Sequence, residues 1–590
     1  MFSKLVHLAV ANELLVFVLT SILCVLGWRS FQQLPIDAFP DITTTQVQVI
    51  VKAPGMTPEE VEQRVTQPLE IEIRGIPNQT ILRSMTKYGL CVITTDFTDD
   101  TDLNWARQQV DQRIAQILSD LPDGVEGGLG PVTTPLSDVY MFLVEGENYS
   151  KSELRSILDW QIRPRLLSLP GVADVNALGG DVRCVLIEPN PEKLRSYGLT
   201  HEDVSSTITR NNANSGGGNV VSDDNVVLLT TNARIRNQQD LAGLTVTQRN
   251  GLPIKIGDVA DITIDRLPRF GGVTANGQGE AIQGIVLARR DANSRETVNA
   301  AKQRLEEVKV NLPEGILIRP FYDRSFLIET ATNTVNDALV QAVILVLIVL
   351  ALFLFDIRSA ITAGLILPLT VLGSFFIMEK IGLTANLMSL GGIAVAVGIL
   401  VDSSVVMVEN IQTRLRLDQG KNKVDVMREA ASEMAKPIVS GVVIIIISLA
   451  PILSLTGIEG KLFAPLAMTI AISLTVSLVL SLTAIPVLAS LLMNTKKSGE
   501  SPVVRLLLSL YRPVLRFFLR QRALMTLSAI ALMIASLWLG SHTGREFLPQ
   551  LNEGTIVLQY EKTPSISLDR SMEIDDKIAQ DLMALPEVTG

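Results

Sequence analysis

A chain of 590 residues is too long for a single hydrophobic core. Its hydrophobic fraction of 47% and mean hydropathy of +0.32, gathered into blocks, mark a polytopic membrane protein with a sizeable water-soluble portion. A net charge of −10 argues against nucleic acid as a partner, and Cys24, Cys91 and Cys184 with the scattered His7, His201 and His542 offer no disulfide framework and no His-built metal centre.

Residues 1–34 hold the first expected transmembrane helix. Lys4 and His7 precede an apolar run from Leu14 to Leu26, and no A-x-A-like cleavage site follows, so the segment reads as an uncleaved anchor. Residues 35–335 change character. TTTQVQVIVKAPG alternates like a strand, and TPEEVEQRVTQPLEIEIRGI reads as a helix with Thr57 and Glu60 placed for a capping box. Strands are expected at Gln79–Met85 and Leu90–Phe97, then an amphipathic helix over Asp102–Ser119. Strand, helix, strand, strand, helix is the order of a ferredoxin-like split βαβ unit. It recurs as DVYMFLVEG, SELRSILDWQIRPRLLSLP, VADVNAL and DVRCVLIEPN. NNANSGGGN reads as a flexible hinge before a projecting mixed β region. The helix Asn293–Val310 and the strand ILIRPFYD then lead back to the membrane.

Residues 336–493 carry five apolar spans, helices 2–6. Residues 494–522, with Arg505, Arg512, Arg516, Arg520 and Arg522 among leucines, read as an amphipathic helix on the cytoplasmic membrane surface. Residues 523–540 form a seventh span. The basic loops, 411–436 and that after Met493, belong in the cytoplasm, which places 35–335 and 541–590 outside; in a Gram-negative cell that is the periplasm. The tail 541–590 resembles the start of the first ectodomain: Pro40 and Pro77 are spaced like Pro549 and Pro586. A second periplasmic repeat that breaks off after one strand and one helix implies a missing C-terminal half.

The fourth span, TANLMSLGGIAVAVGILVDSSVVMVEN, holds Asp402 well inside and Glu409 near its exit. An intramembrane carboxylate costs on the order of 2.5–3.5 kcal/mol on insertion scales. In a straight helix Gly391, Gly398 and Asp402 share a face, with Glu409 about 10 Å further along. Gly391, Gly398, Ser403 and Ser404 are expected to admit close neighbours. A carboxyl there that is neutral when dry and charged when wet suits a proton relay. The competing reading is an acid held by a fixed Lys or Arg for packing alone. No nucleotide loop, G-x-S-x-G or zinc motif points to an enzyme, and no cofactor is expected.

LPIDAFPDI, MSLGGIAVAVGILVDSSVVMVEN, the basic loop leading to KPI, and FLPQLNEG together make the chain resemble the resistance–nodulation–division (RND) efflux pumps, in their heavy-metal efflux branch. The resemblance covers essentially the whole chain. It implies an inner-membrane homotrimer with periplasmic porter subdomains, a periplasmic adaptor and an outer-membrane channel as partners, and proton-driven export of a metal cation from periplasm or cytoplasm. By resemblance Asp402 is the essential fourth-span aspartate and Glu409 its trailing glutamate. Ser403 stands where drug exporters carry a second aspartate. Ala396 stands where cobalt, zinc and cadmium exporters have an acid, as in copper and silver exporters. Met388 and Met407 match rungs of the methionine ladder of those exporters, and so are candidate metal residues; Leu400, Leu474 and Ala489 occupy positions that are methionine there. Packing against core or lipid is the competing role for both methionines. A charge partner for Asp402 is expected from the missing half. Export of hydrophobic or amphiphilic drugs, an inactive truncated half-pump, and a lipid or protein translocation helper are the alternatives.

Overall fold

The computed structural model describes residues 2–37, 40–134, 136–212, 215–222, 225–231, 234–249, 251–290, 292–418, 422–493, 502–544, 555–563 and 565–588. FLPQLNEG (547–554) and most of the loop after Met493 lie outside them. The chain divides into two compact units: residues 1–139, 287–300 and 323–558, and residues 140–286, 301–322 and 559–590.

Among the described residues of the first unit, seven helices are long and apolar enough to cross a membrane. They are α1 (Glu13–Gln33), α4 (Arg324–Leu354), α5 (Ile357–Lys380), α6 (Leu387–Leu417), α7 (Lys423–Leu453), α8 (Gly457–Leu492) and α10 (Arg522–His542); α2 and α3 are defined below. The amphipathic α9 (Pro502–Arg520) precedes α10 and buries none of its residues. The apolar core between spans includes Ala396, Val397, Leu400, Met407 and Val408 of α6 with Ile470, Leu474, Leu480 and Ile485 of α8.

The same unit contains the first βαβ copy. Alternation in β1 (Thr45–Lys52) buries Val47, Val49 and Val51 on one face. Thr57 and Glu60 form the expected capping box, and the helical run continues through a π turn, Glu62–Thr66, into Gln67–Ile73. With β2 (Gln79–Lys87), β3 (Leu90–Phe97), α2 (Leu103–Ile117) and β4 (Glu126–Leu129) it closes a sheet in the order β2-β3-β1-β4, every neighbour antiparallel. This is the split βαβ arrangement. Its core joins Val47, Val49 and Ile93 to Val65 and Leu69 above and Val110 and Ile114 of α2.

The second unit repeats the plan with one correction. β5 (Asp138–Glu145) and β6 (Val172–Leu178) are the expected first and second strands. The third is not DVRCVLIEPN: that segment, β7 (Arg183–Pro189), pairs with β8 (Ala260–Arg266) in a separate two-stranded sheet. The place is taken by β9 (Ile282–Ala288), and after α3 (Ser294–Lys309) the fourth strand is β10 (Leu317–Asp323), giving the order β10-β5-β9-β6. Burial explains the choice. β9 is buried at Ile282, Val286, Leu287 and Ala288, and a Cβ on Gly284 would sit 2.3 Å from the Phe142 ring, whereas β7 has no fully buried position. The helix between β5 and β6 also repeats the first copy's device: a Ser150–Glu153 capping box, a π turn at Leu158–Ile162, and a proline (Pro164) six residues after the turn begins, as Pro68 follows Glu62. A proline removes one backbone donor, and the widened turn before it absorbs the mismatch.

Between β7 and β8 lies a small inserted core of Leu194, Val204, Leu241, Ile254 and Val259, together with a hairpin, Ser215–Ser222 with Asn225–Thr231. Of the stretch expected as a hinge, SGGGN is strand, with a register shift between Gly216 and Asn219; Ala213 and Asn214 lie outside the described residues. In the tail, helix α11 (Leu568–Met583) forms as expected. TIVLQYEK forms no strand over its described residues 555–562, and Ile556 and Val557 are 92% and 91% exposed.

Candidate functional site

The α6 helix is started by Asn386, whose side chain accepts the Ser389 backbone N–H at 2.9 Å while Ser389 Oγ accepts that of Asn386 at 2.8 Å. From there it runs 31 residues, with Asp402 about 22 Å from Leu387 and Glu409 about 10 Å beyond. Two faces of α6 have opposite surroundings. The packed face holds Gly392, Ala396, Leu400, Ser404 and Met407, all buried. Gly392 sets the approach to α8: a Cβ there would lie 2.2 Å from Thr469 Oγ1 and 2.7 Å from the Leu466 carbonyl. Ser477 Oγ of α8 donates to the Leu400 carbonyl at 3.4 Å.

Among the described residues, the face of α6 that carries Gly391, Gly398 and Asp402 is open. A Cβ on Gly391 or Gly398 would meet nothing within 4 Å. Gly398, Asp402, Glu409 and Arg416 line one cleft of about 600 Å³, walled by Val346, Val349 and Phe353 of α4 and by Val504 and Leu508 of α9. Asp402 and Glu409 make no hydrogen bond or ion pair with any described residue, and both are exposed to the cleft. Toward its mouth Gln412 donates to the Leu354 carbonyl at 3.3 Å, so α4 and α6 are tied at that end. The cleft grades from apolar walls at Asp402 to polar Gln412, Thr413 and Arg416. Asp402 and Glu409 are thus two carboxyl groups, seven residues apart, on one wall of a cleft lined by both apolar and polar side chains.

Met388 and Met407 are not brought together. They lie nineteen residues apart on one helix, about 28 Å; Met407 is fully buried in the interhelical core and neither lines the cleft. Leu400, Leu474 and Ala489 are buried in that same core. Among the described residues, no group of three or more His, Cys, Asp or Glu side chains is placed to hold a metal.

Two features escaped the sequence. Val504 and Leu508 close the cleft from a helix whose alternation of Arg and Leu signals only a surface location. Lys461, at the start of α8, donates to the Thr43 carbonyl at 2.6 Å and to Asp99 at 2.5 Å, tying that helix to the first βαβ subdomain. No local pattern points to so distant a pair.

The model of the AcrB/AcrD/AcrF family matches residues 5–590. The cobalt-zinc-cadmium resistance protein CzcA of Cupriavidus metallidurans is 36% identical over 609 residues, covering 100% of this chain and 57% of that protein. The cation efflux system protein CusA of Escherichia coli is 33% identical over 602 residues, covering 100% and 58%. A crystal structure of a heavy metal efflux pump superposes with a TM-score of 0.87 at 30% identity, covering 99% of this chain and 57% of that one. The chain thus spans somewhat over half the length of the curated relatives it matches.

Proposed function

The chain belongs to the AcrB/AcrD/AcrF family of RND transporters, and from that premise we propose that it serves proton-driven export of a heavy-metal cation, within a pump that spans the cell envelope. The observation that carries this reading is the placing of Asp402: mid-helix, on the open face of α6, at the apolar end of a cleft that passes Glu409 and ends at Arg416. The relatives' names support the cargo class, and the cleft beside Asp402 supports a proton path.

In this reading a proton reaches Asp402 along the cleft, with Glu409 as the earlier acceptor. Neutral, Asp402 is at home among the valines of α4 and α6; charged, it demands water or a cation. The two states therefore favour different fillings of the cleft, and α6 is biased to shift. Because the packed face of α6 is locked to α8 through Gly392 and Ser477, that shift is passed to α8 and, through Lys461, to the first βαβ subdomain. Each proton crossing supplies about 2.3 kcal/mol per 100 mV and roughly 1.4 kcal/mol per pH unit. Metal capture falls to the βαβ subdomains and not to a Met388–Met407 pair. An inner-membrane location with the 411–436 loop cytoplasmic, a homotrimer, an adaptor and an outer-membrane channel complete the proposal.

The test is resistance. Asp402→Asn, introduced into the gene with whatever sequence follows Gly590, abolishes growth on toxic metal salts while trimer assembly and membrane level stay unchanged. Retained resistance would sink the relay.

A further inference from the structure

Helix α9 sorts its side chains into three faces. Arg505, Arg512, Arg516 and Arg520 follow one another at intervals of seven, four and four residues, so they stand on one narrow face in a row about 22 Å long. All four are exposed, and none makes an ion pair with a described residue. Opposite them stand Leu507, Leu510, Val514 and Phe517, also exposed. On the flank between these two faces, Val504 and Leu508 meet the cleft of α4 and α6.

The two ends of α9 fix its level. Its first turns wall the cleft where Thr413 and Arg416 line it, close to the end of α6 at Leu417. Its last residue, Arg520, is two short of Arg522, where the α10 span begins. Both ends therefore lie at the same ends of the spans, and the helix runs along the bilayer surface and not across it. With the bundle on its flank, the apolar face is turned to the hydrocarbon and the arginine row to the headgroups. An interfacial helix sinks its apolar face about 5–10 Å into the boundary of headgroups and acyl chains, which sets phosphates beside its polar face.

Charge selects the headgroup. The chain carries a net charge of −10, yet from Pro502 to His542 it has five arginines and no Asp or Glu. As a whole the protein is repelled by an anionic surface, so attraction comes from this one concentration of positive charge. A zwitterionic headgroup brings an ammonium that the row repels. A phosphate diester without an amine meets attraction alone, and the planar guanidinium can hold its oxygens in pairs.

We propose that the arginine row of α9 binds anionic phospholipid of the phosphatidylglycerol kind, while the opposite face lies among acyl chains. The assignment stands apart from the proton path given to Asp402, and each can fail without the other.

The experiment is native mass spectrometry of the full gene product, released from vesicles holding equal phosphatidylglycerol and phosphatidylethanolamine. The wild type retains phosphatidylglycerol in preference. Arg512→Gln, Arg516→Gln and Arg520→Gln together lower that retention by about ten-fold or more and leave thermal unfolding unchanged. Arg512→Lys, Arg516→Lys and Arg520→Lys together keep the preference. Equal retention of the two lipids by the wild type overturns the inference and needs no variant. Undiminished retention of phosphatidylglycerol by the glutamine variant assigns the arginines to a protein partner and overturns it too. A loss in the lysine variant as large as in the glutamine one does the same, because packing and not charge would then hold the lipid.

Discussion

Gly392 of α6 faces Thr469 of α8 with no room for a side chain between them: a Cβ would stand 2.2 Å from Thr469 Oγ1. This contact, and not the two glycines nearer Asp402 in the helical-face pattern, sets the distance between the two most closely packed spans. We expect Gly392→Ala to destabilise the detergent-solubilised protein by about 1–3 kcal/mol through overpacking. Gly391→Ala and Gly398→Ala meet open space and gain helix propensity, up to about 1 kcal/mol each. Thermal unfolding of the three variants checks the order.

Phe142 is the corresponding anchor in the second βαβ copy. It is fully buried and lies under Gly284 of β9. Phe142→Ala should cost about 3–5 kcal/mol, and Gly284→Ala should be destabilising through the same contact. Stability of the subdomain against denaturant is the measurement; an unchanged midpoint for both would remove β9 from the sheet.

Much of this was legible beforehand, and the misses share a cause. The seven spans, the capping box at Thr57 and the first strand–helix order follow from local periodicity and composition. The third strand of the second copy does not. DVRCVLIEPN is as strand-like as IQGIVLA, and only pairing across about a hundred residues decides between them. Likewise a helical wheel tells which residues share a face of α6, but not which face meets α8. Local sequence therefore does not single out Gly392, nor the Lys461–Asp99 contact, which joins residues 362 positions apart.

That contact gives a third prediction. An exposed ion pair contributes only about 0–1 kcal/mol to stability, so Lys461→Asp should leave the fold intact. If the pair transmits motion from α8 to the first subdomain, metal export falls several-fold in Lys461→Asp and recovers when Asp99→Lys is added. Efflux assays on the single and double variants decide it; a double variant no better than the single one argues against transmission.

The tail helix offers a titration. Tyr560 donates its hydroxyl to Asp575 of α11, which pushes its pKa up to about 12, through the hydrogen bond first, then burial and the carboxylate charge. A tyrosine raised in the folded state contributes stability that is complete below its unfolded pKa of about 10 and lost as pH rises through about 12. Ultraviolet difference titration should show one late-ionising tyrosine that moves back toward 10 in Asp575→Asn.

The most direct test of proton coupling at Asp402 is proton flux through the reconstituted product of the complete gene, in vesicles holding a pH-sensitive dye. With a pH gradient imposed, a metal cation added on the substrate side should speed collapse of the gradient in the wild type and have no effect in Asp402→Asn. Equal metal-stimulated flux in the two proteins would place the proton path elsewhere and contradict the role given to the cleft.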